Sequence, residues 1–128
     1  AEWIKQRRLR NVRYLNDKLS SYRDVLRLPI YSEDVSYLGY PLVVINKKYS
    51  RNKIALSLAK RGIECRPVFN SVPTQQPAYA YLKARYKRKL PNAEFIGTNG
   101  LYVGCHQYLT RADLDYMVNA VKEALKSR

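Results

Sequence analysis

The stretch from Leu42 to Phe69 constrains the fold more than any other part of the chain. Leu42-Val43-Val44-Ile45 is a continuous apolar run, which reads as a buried strand. Ser50 then offers an N-cap for a helix over 51–61, with Ile54, Ala55, Leu58 and Ala59 turned inward. Gly62 supplies a left-handed stop, and 63–69 returns as a second strand. Strand, helix and strand in so short a span form a compact unit that must be completed by other elements.

Those elements are legible on either side. Residues 2–26 predict a helix, because Val12, Leu15, Leu19, Tyr22 and Leu26 recur at three- and four-residue steps. Arg7, Arg8, Arg10, Arg13 and Lys18 cover its other faces, and Pro29 closes the region. Residues 70–76 are polar, carry Pro73 and predict a loop. Pro77-Ala78-Tyr79 can begin a short helix, as can Pro91-Asn92-Ala93-Glu94. Residues 83–89 form a basic, solvated run. Residues 100–105 predict a third strand. Thr110 with Asp113 three residues on has the form of a capping box. Beyond it Leu114, Met117, Val118, Val121 and Leu125 mark the buried face of a last helix. The expected fold is α+β: a small sheet of three to four strands covered by helices on one face.

Charge and motifs limit the function. Twenty-four Lys and Arg against ten Asp and Glu give +14 on 128 residues, a field that attracts phosphates, nucleic acid or an acidic partner. No apolar run approaches the roughly 18 residues of a membrane helix, so no membrane association is expected, and a cytoplasmic location is. Cys65 and Cys105 belong to no C-x-x-C pair and His106 is the one histidine, too few soft ligands for zinc. The thiols read as reduced and buried. Phosphate-loop, dinucleotide and H-E-x-x-H motifs are missing, so neither a catalytic residue nor a metal ligand is assigned.

Two segments carry binding chemistry. In the first, Gly62-Ile63-Glu64-Cys65-Arg66-Pro67 fixes Arg66 at a strand end before a proline. Its planar fork suits carboxylate or phosphate. The polar loop beginning at Asn70, with Gln76 and Tyr79 after it, adds hydrogen-bonding groups. In the second, Leu101-Tyr102-Val103-Gly104-Cys105-His106 places His106 where a strand ends and a helix has not begun, a common ligand position. Arg66, Asn70, Gln76, Tyr79 and His106 are the candidate substrate-binding residues; the alternative is structural, with Arg66 paired to a surface acid, Tyr79 in the core and His106 a structural hydrogen-bonder.

In order, Gly62–Pro67, Gln76-Pro77-Ala78-Tyr79, Pro91–Glu94, Leu101–Cys105 and Leu109-Thr110 resemble the C-terminal small domain of the DegT/DnrJ/EryC1/StrS family of pyridoxal-phosphate-dependent nucleotide-sugar aminotransferases. The resemblance runs over residues 1–126. It implies the C-terminal domain of a fold-type-I pyridoxal-phosphate transferase: a long linking helix over 1–28 and a small α+β domain over 29–128. It further implies a large cofactor-binding domain lying outside this chain, a nucleotide-sugar substrate and a homodimer. Pyridoxal phosphate would belong to the intact enzyme rather than to this chain alone, which is expected to be inactive by itself. Val103-Gly104-Cys105-His106 also resembles the family's sugar 3-dehydrases, which remove a hydroxyl instead. Arg66 and the 70–76 loop would lie toward the active-site mouth. Where the family often has a histidine in that loop, this sequence has Pro73 and Thr74. The other reading is a free-standing basic binding module. It would take nucleic acid through Tyr79, Tyr81, Tyr86 and Tyr102 among the basic residues, or an acidic protein partner through the first helix.

Overall fold

A computed structural model of the protein describes residues 1–68 and 73–127. Helix α1 spans Glu2–Lys18, strand β1 Leu26–Arg27 and strand β2 Gly39–Val44. Helix α2 spans Arg51–Lys60 and strand β3 Cys65–Pro67. Two short 3-10 turns then lead into helix α3, Ala80–Arg85, followed by α4, Pro91–Asn99. Strand β4 is Gly100–Gly104 and helix α5 Arg111–Lys126. The four strands order as β1-β2-β4-β3, every neighbouring pair antiparallel. The α+β expectation holds. The strand–helix–strand unit is present as well, but split, because β4 inserts between β2 and β3.

Local chemistry sets the element ends. The Ser50 hydroxyl accepts the Lys53 N–H at 3.4 Å, and Gly62 adopts φ +73° just past α2. A β-carbon on Gly62 would meet nothing within 4 Å, so the backbone conformation rather than space calls for glycine there. Thr110 and Asp113 form the full capping box of α5. The first helix departs from expectation. It stops at Lys18, not at 26 or 28. The Ser20 hydroxyl donates to the Asp17 carbonyl at 2.7 Å, a 3-10 turn follows at Ser20–Tyr22, and Leu26 enters the sheet opposite Val44. A serine bonding back to the chain competes with helix continuation, and strand pairing takes the rest.

The core lies on one face of the sheet. Tyr40, Leu42, Val44, Leu101 and Val103 point into it from the strands. Leu9, Val12 and Leu15 of α1, Ile54 and Leu58 of α2 and the apolar stripe of α5 meet them there. Each such side chain contributes roughly 1.5–3 kcal/mol by leaving water. Thus α1 is a core element of this unit and not only a connection. The three ion pairs found among the described residues are all exposed and add little. No helix among the described residues is long and apolar enough to cross a membrane.

Candidate functional site

Strand alternation places the site on the face away from the core. Arg66 of β3 pairs with Tyr102 of β4, and Tyr102 with Pro41 of β2. The strand neighbours Tyr40, Leu42, Leu101 and Val103 are buried in the core, so Arg66, Tyr102 and Pro41 share the opposite face. Gly39 makes this row possible. A β-carbon there would sit 2.7 Å from Tyr102 Cδ2 and 3.2 Å from the Val103 carbonyl oxygen. The tyrosine ring therefore lies directly against the glycine.

Arg66 is exposed, and its Nε and Nη2 both donate to Glu64 Oε1, at 3.0 and 2.9 Å. The hydrogen bond and charge of Glu64, then Tyr102, raise the guanidinium pKa above its ordinary value. An exposed pair of this kind adds little to stability. Glu64 occupies the Nε–Nη2 edge, so an incoming carboxylate or phosphate would meet the Nη1 end of the guanidinium or displace Glu64.

Two grooves of about 600 Å³ each flank this row, and Leu38, Arg66 and Tyr102 line both. The first continues past Glu64 and Gly104 to His106 and Asp113. The second runs along Val35, Gly39 and Pro67. His106 is held through its backbone: its carbonyl accepts from Asn11 Nδ2 at 2.9 Å and from the Leu109 N–H at 3.3 Å. Its ring Nδ1 accepts the Tyr108 N–H at 3.3 Å, which leaves the proton of the neutral ring on Nε2. The Asp113 carboxyl is held below its ordinary pKa by the Thr110 N–H, then the Thr110 hydroxyl, with His106 adding to both.

These groups can bind and orient, but they contain no activated nucleophile. Cys105 is buried, and burial pushes its thiol up to about 11. Burial raises the Cys65 thiol too, although that residue is only half-buried, and both cysteines are free. No group of three or more His, Cys, Asp or Glu among the described residues could hold a metal. Pyridoxal phosphate needs a lysine amine for its Schiff base and an acid at the pyridine nitrogen. No lysine lines either groove, and Glu64 and Asp113 are both engaged, so the residues here do not fit that cofactor by themselves.

Of the candidates read from sequence, the structure brings Arg66 and His106 to one groove. Gln76 lies in a separate depression with Thr74 and Lys83, and Tyr79 is exposed beside Tyr81. Asn70 lies outside the described residues. Sequence reasoning did not single out Tyr102 as the partner of Arg66. Alternation along β4, with Leu101 and Val103 apolar on either side, was the available signal. It also passed over Asn11, whose buried amide holds the end of β4.

Among the described residues, the sheet is packed on one face and presents Arg66, Tyr102 and two grooves on the other. The profile of the DegT/DnrJ/EryC1/StrS aminotransferase family matches residues 1–122, and the chain belongs to that family. It is 29% identical over 121 residues to a GDP-4-keto-6-deoxy-D-mannose 3-dehydratase of Escherichia coli O55:H7, covering 90% of this chain and 30% of that protein. It is 36% identical over 76 residues to a GDP-perosamine synthase of Caulobacter vibrioides, covering 59% of this chain and 19% of that protein. The fold superposes with a TM-score of 0.74 on an E. coli GDP-4-keto-6-deoxy-D-mannose-3-dehydratase with bound hydrated pyridoxal phosphate, at 23% identity over 94% of this chain and 31% of that one. The chain thus spans less than a third of the length of the relatives it matches.

Proposed function

We propose that this chain is the small, substrate-facing domain of a pyridoxal-phosphate-dependent enzyme acting on a keto sugar carried by a nucleoside diphosphate. The observation that carries the reading is the Arg66–Tyr102 row on the open face of the sheet, with a groove on each side. Arg66 offers a guanidinium to an anionic group, in exchange with or beside Glu64, and Tyr102 and His106 add further hydrogen-bonding groups. Both curated relatives are named for GDP-linked sugars, which supports a guanosine diphosphate carrier. The cofactor would be held by the remainder of the enzyme. Packing against that remainder is supported by exposed apolar side chains: Leu38, which lines both grooves, is 81% exposed, and Tyr108 and Trp3, which lie outside them, are 71% and 54% exposed. The intact enzyme is read as a homodimer.

Amino transfer is the first reading for the reaction. Removal of the sugar 3-hydroxyl is the second, favoured by the 3-dehydratase relative that aligns over nearly the whole chain. The test is steady-state kinetics of the full-length protein with a GDP-4-keto-6-deoxy sugar and glutamate, comparing Arg66→Ala and Arg66→Lys with the parent. Losing a charge-assisted bidentate contact costs about 1.5–3 kcal/mol, so KM rises roughly 10- to 100-fold in Arg66→Ala. Arg66→Lys recovers part of it, and kcat changes little. An unchanged KM in Arg66→Ala removes Arg66 from the site. Mass analysis of the product separates an amino sugar from a 3-deoxy sugar, and absence of both refutes the reading as a whole.

A further inference from the structure

The surface most at odds with a simple substrate-facing domain is the segment after the second 3-10 turn. From Cys65 through Ala93 the sequence has no Asp or Glu. Within that span Lys83, Arg85, Lys87, Arg88 and Lys89 place five cations in seven residues. All five are exposed, and none takes part in an ion pair found among the described residues. Such a run repels itself, and nothing in its own stretch of sequence balances it.

The backbone adds a second observation. Arg88 has φ +63° and is, among the described residues, the one non-glycine in the left-handed region. The turn around it is well formed, with the Lys89 N–H bonded to the Tyr86 carbonyl at 3.0 Å. A left-handed L-residue is strained where glycine would not be, and strain of this kind gathers at functional segments. An arginine there keeps a charged side chain at the tip of the turn. Two amphipathic rings and an apolar side chain border the cations: Tyr81 is 73% exposed, Tyr79 43% and Leu90 39%.

We propose that residues 79–90 form a peripheral docking surface for an anionic lipid bilayer. Clustered Lys and Arg are drawn to anionic headgroups, while tyrosine and a bordering leucine suit the boundary between headgroup and acyl chain. The expectation of no membrane association rested on the lack of a spanning segment, and peripheral contact needs none. The rings favour lipid over single-stranded nucleic acid. Tyr79 and Tyr81 stand 6.5 Å apart at 56°, so they offer no parallel platform for successive bases. Arg85 already lies 5.9 Å from the Tyr86 ring centre. This proposal stands independently of the substrate reading.

The experiment is co-sedimentation of the full-length protein with vesicles of phosphatidylcholine alone or mixed equally with phosphatidylglycerol. The protein is expected on the anionic vesicles at low salt, in the supernatant at high salt, and unbound to neutral vesicles. Combining Lys87→Gln, Arg88→Gln and Lys89→Gln should lower the partition coefficient on the order of 100-fold, at roughly fivefold per cation. Replacing Lys47 and Lys48, two exposed cations elsewhere, with Gln should leave it within about twofold. Arg88→Gly separates binding from folding, since it relieves the strained turn while removing one cation. Its melting temperature should rise while vesicle binding falls about fivefold. No vesicle binding overturns the proposal, as does an equal loss in the Lys47/Lys48 control. Retention on a single-stranded RNA oligonucleotide with the vesicles ignored also overturns it, and assigns the surface to nucleic acid.

Discussion

Asn11→Ala tests how the end of β4 is held in place. Asn11 sits on α1 at 1% exposure, and its Nδ2 donates to the Cys105 carbonyl at 3.3 Å and the His106 carbonyl at 2.9 Å. These two bonds join the first helix to the segment that carries His106 into the groove. Arg8 reinforces the same junction more weakly, through Gln107 at 3.3 Å and the Tyr37 carbonyl at 3.2 Å. Removing the amide costs about 1 kcal/mol per bond and leaves the Cys105 carbonyl dry and unsatisfied, which adds a further ~1 kcal/mol. The His106 carbonyl keeps the Leu109 N–H and loses less. The sum is roughly 2–3 kcal/mol, or about 7–11 °C in melting temperature for a chain of this size. Asn11→Leu should not rescue it, because an apolar side chain of similar volume restores packing but not the donor. Urea unfolding followed by circular dichroism measures the loss. If Asn11→Ala falls within about 0.5 kcal/mol of the parent, the two carbonyls find other donors and the junction does not depend on Asn11.

Three further outcomes are expected. Gly39→Ala should lower stability and move the Tyr102 ring, whereas Gly104→Ala should be tolerated, because its new β-carbon meets nothing closer than His106 Cδ2 at 3.9 Å. Chemical shifts of the Tyr102 ring distinguish the two variants. The Asp113 carboxyl has a lowered pKa in the fold, so the stability it contributes is present above its unfolded pKa and is lost as pH falls through the folded value. Asp113→Asn should therefore flatten the acid limb of the stability–pH curve below about pH 4, as followed by thermal unfolding. Native alkylation at pH 8 should label Cys65 before Cys105, since the latter is fully buried with its thiol pushed up to about 11. Peptide mass mapping that finds Cys105 labelled first would contradict the burial order.

What could be read from the sequence was local chemistry. Ser50, Gly62 and the Thr110–Asp113 box mark their helix ends correctly, because each acts on atoms within three residues of itself. The stripe of α5 was equally clear, since one helix face is buried along its whole length. The end of α1 was not. Leu19, Tyr22 and Leu26 continue the helical spacing, but Leu19 is buried after the helix has ended and Leu26 is buried in a strand opposite Val44. Apolar periodicity records burial and does not say which backbone achieves it.

The site was half legible for a related reason. Arg66 and His106 were singled out by residue type and by an expected place at strand ends; His106 does follow β4, whereas Arg66 sits in the middle of β3. Their meeting depends on β4 pairing with both β2 and β3, and those partners lie far from β4 in sequence. The same pairing explains why Tyr102 belongs with Arg66 while Gln76 and Tyr79 do not. A strand register puts every second residue on one face, so Arg66, Tyr102 and Pro41 align across three strands as soon as Leu101, Leu42 and Val103 are committed to the core. Gln76 and Tyr79 lie at the 3-10 turns Pro73–Gln75 and Pro77–Tyr79, which belong to no strand, so no register places them on that face. The composition of the open face is therefore fixed by the residues that fill the core. Slipping β4 by one residue would bury Tyr102 and expose Leu101, removing the row that flanks both grooves.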